Sequence, residues 1–356
     1  MSESNQHIQL DWFRLLVSLP IILGLLYFGR DFLIPLAISA LLFILTIALV
    51  DKIQSVKLGK WSPPLWLANV LSAGIVVSGL LAAGTFVSNQ SGEFSEAAPR
   101  YSERLNSFLI QAQETLGSEP VNAAKKALEG VDFAGIVAQV ANQAGGILST
   151  LFLVLLYLAF FLGEKHDFAA KIPKLASSEK GAEQLRRMLE AINEAVKQYM
   201  WINAATSAMS AAVAYIVLSV LGVDFAATLA FIVFLAGFIP NIGAFIGICL
   251  PAAVALLQFD TLTPFLCVLI FYGGADQFIA NVIQPKMQGK SLNLSTFVVL
   301  VGLTFWTTMW GGVGAFLAVP LMVVSLIICS EVPGLKSFAI LMSGDGELFQ
   351  TQNEEN

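Results

Sequence analysis

Apolar residues occupy long stretches of the chain, and short polar segments separate them. Five stretches are long enough to cross a bilayer as helices: 12–29, 32–50, 65–87, 146–163 and 202–222. A crossing takes about 20 apolar residues, because backbone polar groups must be paired internally where water is absent. Three longer apolar regions follow, at 225–259, 262–284 and 291–330. The pattern therefore predicts an all-α polytopic membrane protein.

Region 225–259 contains no charged residue, but its apolar run is broken at 238–243. Pro240 lacks a backbone donor and its ring clashes with the preceding helical turn. Asn241 can satisfy the peptide groups that the break frees, and Gly243 tolerates non-helical backbone. The arms on either side, roughly 15 and 17 residues, are short for a full crossing. These features predict a broken or re-entrant helical hairpin.

Region 291–330 is also free of charge and is interrupted near its middle by three glycines, Gly311, Gly312 and Gly314. It is expected to form a second hairpin or a pair of spans. Two interrupted apolar segments on either side of one ordinary span are typical of a transporter whose binding site lies at the midplane. The alternative is that the glycines only permit close helix packing.

The span between the two hairpins, 262–284, carries one acid, Asp276. An acid inside a span costs about 2.5 to 3.5 kcal/mol to insert, so it is a functional candidate by default. The alternative is a hydrated carboxylate near the helix end, or one paired with Lys286 or Lys290. Three polar residues follow Asp276 in this span: Gln277, Asn281 and Gln284. The spacings of five and eight residues put Asn281 and Gln284 near the face of Asp276.

Lysines in the loop 51–62 mark it as cytoplasmic, and the N- and C-termini are then cytoplasmic as well. Both termini lie on the cytoplasmic side if the chain forms six spans plus two hairpins, about eight hydrophobic units. They also do so if it forms ten crossings. The predicted division is 1–87 with three transmembrane helices, 88–145 as an extracytoplasmic acidic helical insert, 146–163 as the fourth transmembrane helix, 164–200 as a cytoplasmic amphipathic helical segment, 201–335 as the core with interrupted helices, and 336–356 as a cytoplasmic tail.

Composition narrows the possible functions. Only 12% of the 356 residues are charged and 56% are hydrophobic, which excludes a soluble enzyme. No basic cluster suggests nucleic acid, and the three cysteines and two histidines lack metal-ligand spacing. Gly289-Lys290-Ser291 resembles the end of a phosphate-binding loop, but Gln284 stands where that motif needs glycine. We therefore expect no enzyme activity, no metal and no cofactor.

Three motifs together resemble the autoinducer-2 exporter family of permeases. They are Phe238-Ile-Pro-Asn-Ile-Gly243, Asn281-Val-Ile-Gln-Pro285-Lys-Met-Gln-Gly289, and Gly311-Gly-Val-Gly314 followed by Ala318-Val-Pro320. The resemblance implies export of small solutes such as autoinducer-2, with sodium-proton antiport in some relatives. It also implies a homo-oligomer, which we expect to be a pentamer. Gln284 stands where relatives can carry an acid, which puts a coupling role at that position in doubt.

The sequence thus favours a secondary transporter in the bacterial cytoplasmic (inner) membrane, coupled to H⁺ or Na⁺ or to no ion. The expected solute path is formed by Pro240, Asn241, Gly243, Asp276, Gln277, Asn281, Gln284, Pro285, Gly311, Gly312 and Gly314. One alternative is a cation-proton antiporter. Another is a membrane scaffold that binds partners through the acidic insert and the helix at 183–199.

Overall fold

The computed structural model of the chain is almost entirely helical. It describes residues 12–55, 63–116, 149–165, 178–240, 242–288 and 293–346, together with residues 119, 122, 167, 171 and 174. The helices of these residues are α1 (Trp12–Phe28), α2 (Arg30–Ser55), α3 (Leu65–Leu116), α4 (149–165), α5 (Glu179–Leu221), α6 (Ala226–Ala236), α7 (Ile242–Gln258), α8 (Thr263–Gln288), α9 (Thr296–Glu331) and α10 (Lys336–Met342).

Among the described residues, five helical segments are long and apolar enough to cross a membrane. They are Arg30–Ser55, Leu65–Phe86, Glu179–Leu221, Thr263–Gln288 and Thr296–Glu331. The helices Ala226–Ala236 and Ile242–Gln258 are apolar but shorter. The predicted helical membrane architecture is therefore confirmed at this level, whereas the number of crossings and the orientation of the termini stay predictions.

Two helices extend well beyond the thickness of a bilayer. Helix α3 has 52 residues and α5 has 43. At 1.5 Å per residue they measure about 78 and 65 Å, against a hydrocarbon core of about 30 Å. The first part of the predicted insert, up to Leu116, is therefore a continuation of the third apolar helix. Residues 117–145 of the insert lie outside the described residues except at 119 and 122.

Helix α9 folds back on itself at Gly311. This glycine has φ 64° and ψ −145°, which is not helical backbone. A Cβ placed on Gly302 would lie 2.6 Å from Cγ of Met322, although 20 residues of straight helix would separate the two by about 30 Å. The two arms, 296–310 and 312–331, therefore pack against each other as a hairpin, one of the two forms predicted.

The chain divides into two compact units. Unit 1 comprises Met1–Ala73, Leu153–Trp201 and Gln288–Asn356, and unit 2 comprises Gly74–Phe152 and Ile202–Met287. In unit 1, the hydroxyl of Ser39 on α2 donates to the carbonyl of Val154 on α4 over 3.0 Å. In unit 2, the C-terminal half of α5 packs with α6, α7 and the first half of α8 around a core of buried side chains.

Candidate functional site

The predicted break in region 225–259 is a tight turn between α6 and α7. Helix α6 ends at Ala236, and α7 begins at Ile242. The carbonyl of Pro240 accepts from the N–H of Ile242 over 2.6 Å, so Pro240 closes the turn as the sequence suggested. A Cβ on Gly243 would lie within 2 Å of the carbonyl oxygen of Ala236, so glycine is required there. Asn241 lies outside the described residues.

Asp276 lies in the interior of unit 2, and 7% of its surface is exposed. The hydroxyl of Ser210 on α5 donates to Oδ1 of Asp276 over 2.6 Å. Oδ2 is buried and has no hydrogen-bond partner among the described residues. The expected alternatives, hydration at a helix end or a pair with Lys286, do not describe this placement, while Lys290 lies outside the described residues.

Two further buried hydroxyls belong to the same region. Tyr272 precedes Asp276 by one helical turn, and Ser207 precedes Ser210 by one turn on α5. The oxygens of Tyr272 and Ser207 are buried without a hydrogen-bond partner among the described residues. We refer to Ser207, Ser210, Tyr272 and Asp276 as the polar cluster. Native proteins rarely leave buried polar atoms unpaired, so such a group of them is a candidate site.

The hairpin formed by α6 and α7 approaches the polar cluster through two glycines. A Cβ on Gly237 would lie within 2.5 Å of the hydroxyl oxygen of Ser207, and one on Gly247 would lie 3.1 Å from that of Tyr272. Any larger residue would displace these hydroxyls. The turn of the hairpin therefore contacts the cluster with backbone rather than with apolar side chains.

Helix α8 is not an ordinary span, because two π-helical stretches interrupt it. They cover Val268–Gly273 and Ile279–Ile283, with Asp276 on the regular turn between them. Such wide turns inside α-helices occur frequently at functional sites. The second one ends directly before Gln284 and Pro285, and a widened turn relieves the clash of the proline ring with the preceding turn.

The π-helical stretches also redistribute the polar residues that follow Asp276. Gln284 faces α5 as Asp276 does, and its Nε2 donates to Oδ1 of Asn203 over 3.3 Å. Asn281 is exposed and donates to the backbone and side chain of Gln277. The expectation that Asn281 shares the face of Asp276 is therefore wrong, because five residues of regular helix already turn the chain about 140° past one full turn. The wider π-helical turns instead bring Gln284 toward the face of Asp276.

The glycines of the second hairpin lie in unit 1. Gly311 forms the reversal, and a Cβ on Gly314 would lie within 2 Å of the carbonyl oxygen of Trp306. The indole of Trp310 donates to the carbonyl of Leu26 over 3.0 Å, which fastens the tip to the end of α1. Gly312 has open space around its Cα.

Comparison with known proteins agrees with the geometry. Residues 16–334 match the AI-2E family transporter profile, which covers most of the chain. The chain belongs to the AI-2E family of transporters. It is 25% identical to the AI-2 transport protein TqsA of Escherichia coli K12 over 334 residues, 92% of this chain and 94% of that protein. The resemblance seen in the sequence motifs is thereby confirmed.

Two other relatives bear names of transport proteins. A putative transport protein of Borreliella burgdorferi is 32% identical over 219 residues, and the match covers 60% of each chain. One of Haemophilus influenzae is 28% identical over 300 residues, 81% of this chain and 84% of its own. This chain belongs to a family of transporters and has several helices long and apolar enough to cross a membrane. It is therefore a multi-pass membrane protein.

Sequence reasoning found Asp276 but missed its partners. Ser207 and Ser210 are small polar residues within an apolar stretch, and Tyr272 reads as an ordinary aromatic core residue. Their spacing carried a signal, since residues three or four apart share a helix face. Among the described residues, no three His, Cys, Asp or Glu side chains come together as metal ligands.

Proposed function

We propose that this protein is a secondary transporter that exports a small polar solute, an autoinducer-2-like signal or a related metabolite, across the cytoplasmic membrane of a bacterium. The polar cluster is the observation that carries the proposal. A buried acid and three buried hydroxyls, two of which have no hydrogen-bond partner among the described residues, are costly unless they serve a ligand.

The polar cluster suits a neutral or cationic solute better than an anion. Its one charge is the carboxylate of Asp276, and its hydroxyls can donate or accept hydrogen bonds. The glycine-lined turn at Gly237 adds backbone at the same place, as in transporters whose broken helices bind solutes through unwound backbone. In this proposal Gln284 extends the polar surface along α8, and Pro240 and Gly243 hold the turn in place.

A second function, cation-proton antiport, is favoured by one observation. Oδ2 of Asp276 is buried without a partner among the described residues, and a single carboxylate that takes up either a cation or a proton is sufficient for exchange. We also propose that the protein works as a homo-oligomer, a pentamer as the resemblance implies.

The proposal is tested by comparing the metabolites of cells that lack and cells that overproduce the protein. The leading solute is then measured in liposomes with wild-type protein, with Asp276→Asn and with Glu183→Gln. Glu183 is an exposed carboxylate that pairs with Arg187, so its variant controls for loss of a negative charge.

Loss of flux in Asp276→Asn alone supports the solute path. Sodium-induced dequenching of a pH-sensitive dye in everted vesicles, lost in the same variant, supports antiport instead. Wild-type solute flux in Asp276→Asn overturns the solute path, and wild-type dequenching in the same variant overturns antiport. If function stayed normal with Asn241 and Asp276 both replaced by alanine, and deletion of residues 100–130 destroyed it, the protein would be a scaffold.

A further inference from the structure

At one end of unit 2, helix α3 binds both of the loops that close that end. Loop 222–225 joins α5 to α6, and loop 259–262 joins α7 to α8. The hydroxyl of Tyr101 donates to Oδ2 of Asp224 in the first loop over 3.1 Å. The guanidinium of Arg104 pairs with the carboxylate of Asp260 in the second loop over 2.5 Å. Tyr101 and Arg104 are three residues apart and so share one face of α3.

The two loops are also joined to each other by Gln258 at the end of α7. Its Nε2 donates to the carbonyl of Gly222 over 2.9 Å and to Oδ1 of Asp224 over 3.2 Å. Its Oε1 accepts from the backbone N–H of Asp224 over 2.7 Å. Because Asp224 binds both Tyr101 and Gln258, displacement of one loop must disturb the other. The contacts of Tyr101, Arg104, Asp224, Gln258 and Asp260 are called the clasp below.

The clasp holds a loop whose backbone is strained. Phe225 has φ 59° and ψ 25°, the left-handed region that a bulky residue rarely adopts. Such a conformation persists only where the surroundings hold it in place. The ring of Tyr101 lies against that of Phe225, with 6.3 Å between centroids. Release of Tyr101 would therefore remove a packing contact from the strained Phe225 and a hydrogen bond from the neighbouring Asp224.

The contacts of the clasp are of a kind that can open. The side chains of Arg104 and Asp260 are 50% and 79% exposed, and an exposed ion pair exchanges readily with water. Tyr101 is half-buried, and burial together with the carboxylate of Asp224 raises the pKa of its hydroxyl. The hydroxyl therefore keeps its proton at neutral pH and remains a donor.

The clasp lies at the end of the helices that carry the polar cluster. Ser210 precedes Leu221, the last residue of α5, by 11 residues, and Asp276 follows Thr263, the first of α8, by 13. These separations correspond to about 17 and 20 Å. The intervening space is filled by buried side chains such as Ala214, Leu218 and Val268. Asp276 is therefore closed off from this end while the clasp is formed.

We propose that the clasp is a reversible lock on this end of unit 2, and that its opening admits water and solute toward Asp276. This proposal rests on the proposed function in one respect: it takes Asp276 as the site that water and solute reach after the clasp opens. The long α3 then has a role beyond membrane anchorage, since its extension past the bilayer determines when the two loops can separate.

The lock is tested by the accessibility of a buried position, without any knowledge of the solute. Cys249, Cys267 and Cys329 are replaced by alanine, and Ala214→Cys, one turn from Ser210 toward the clasp, is introduced as the probe. The protein is placed in nanodiscs and treated with a water-soluble maleimide. The rate of labelling is measured with the clasp intact, with Arg104→Glu, and with Arg104→Glu combined with Asp260→Arg.

The charge reversal is expected to raise the labelling rate about fivefold, because it replaces an exposed attraction by a repulsion. The double exchange of charges should restore the original rate. Tyr101→Phe should raise the rate by about tenfold, because it removes a hydrogen bond to a carboxylate. The matched control is Arg186→Glu, which breaks an equally exposed ion pair with Glu190 on α5 and should leave the rate unchanged.

Hydrogen exchange gives a second measurement in case Ala214→Cys disturbs packing. Amides of loops 222–225 and 259–262 should exchange faster in Arg104→Glu and Tyr101→Phe, while those of residues 284–288 should not change. If exchange in the loops becomes faster while labelling of position 214 is unchanged, the clasp stabilises the loops without controlling access to the interior. That result would overturn the proposal. Unchanged exchange in the loops would overturn it as well. Because no transported solute is used, either outcome is independent of whether Asp276→Asn abolishes transport.

Discussion

The hydrogen bond from Ser210 to Asp276 allows a sharp test of the polar cluster. It is short, 2.6 Å, and both side chains are more than nine-tenths buried. Ser210→Ala leaves both oxygens of a buried carboxylate without a donor. A hydrogen bond to a charged group contributes about 1.5 to 3 kcal/mol, so we expect the free energy of unfolding to fall by that amount.

Asp276→Asn is expected to behave differently. The amide oxygen still accepts from Ser210, and the cost of burying a charge is removed, so stability should stay within about 1 kcal/mol of wild type or rise. In the Asp276→Asn background, Ser210→Ala breaks a neutral hydrogen bond and should cost only about 1 kcal/mol. The double-mutant cycle should therefore give a coupling of about 0.5 to 2 kcal/mol between the two positions.

The assay is unfolding of the purified protein in mixed micelles by increasing sodium dodecyl sulfate, followed by circular dichroism and tryptophan fluorescence. Ser78→Ala is the control, because the exposed hydroxyl of Ser78 donates only to the carbonyl of Ile75 in its own helix. Its loss should change stability by less than about 0.5 kcal/mol. If Ser210→Ala were no more destabilising than Ser78→Ala, or cost the same with Asp276 and with Asn at that position, the charged buried bond would be refuted.

Three further predictions concern the hairpins. Gly243→Ala should destabilise the protein by about 1 to 3 kcal/mol, because its Cβ would overlap the carbonyl of Ala236, whereas Gly274→Ala, with open space around it, should be neutral or stabilising in the same unfolding assay. Gly311→Ala should cost about 1 to 2 kcal/mol because of the positive φ, and comparable stability of this variant and wild type would contradict the reversal described for α9. Trp310→Phe should lose about 1 kcal/mol with its hydrogen bond to Leu26, and limited proteolysis near residue 29 should become faster.

Much of the architecture followed from the sequence because the cause is local. Pro240 and Gly311 interrupt the helix for reasons that each residue carries itself, since the proline lacks a donor and the glycine here adopts positive φ. The structure shows a tight turn at the first position and a reversal at the second. The full length of α3 was harder to predict from the sequence. Polar residues of a helix that continues beyond the bilayer have the same composition as a separate soluble segment.

The candidate site was only partly predictable. Asp276 stood out because an acid in an apolar span is costly wherever the span lies. The π-helical turns around Asp276 were not predictable from the sequence. The residues of Val268–Gly273 are compatible with a regular helix, and packing selects the wider turn. The wider turns bring Gln284 toward the face of Asp276, whereas Asn281 bonds to Gln277 on an exposed part of the helix.

The sequence by itself determined that this chain is a membrane protein. It also determined the positions at which two of its apolar segments are interrupted and the acid that would have to be buried. These properties depend on transfer free energies and backbone chemistry that each segment carries alone. The tertiary structure decided which groups meet that acid. Ser210 lies 66 residues from Asp276, and no local periodicity specifies which face of one apolar helix packs against another. The same holds for the clasp, where Tyr101 meets Asp224 across 123 residues of chain.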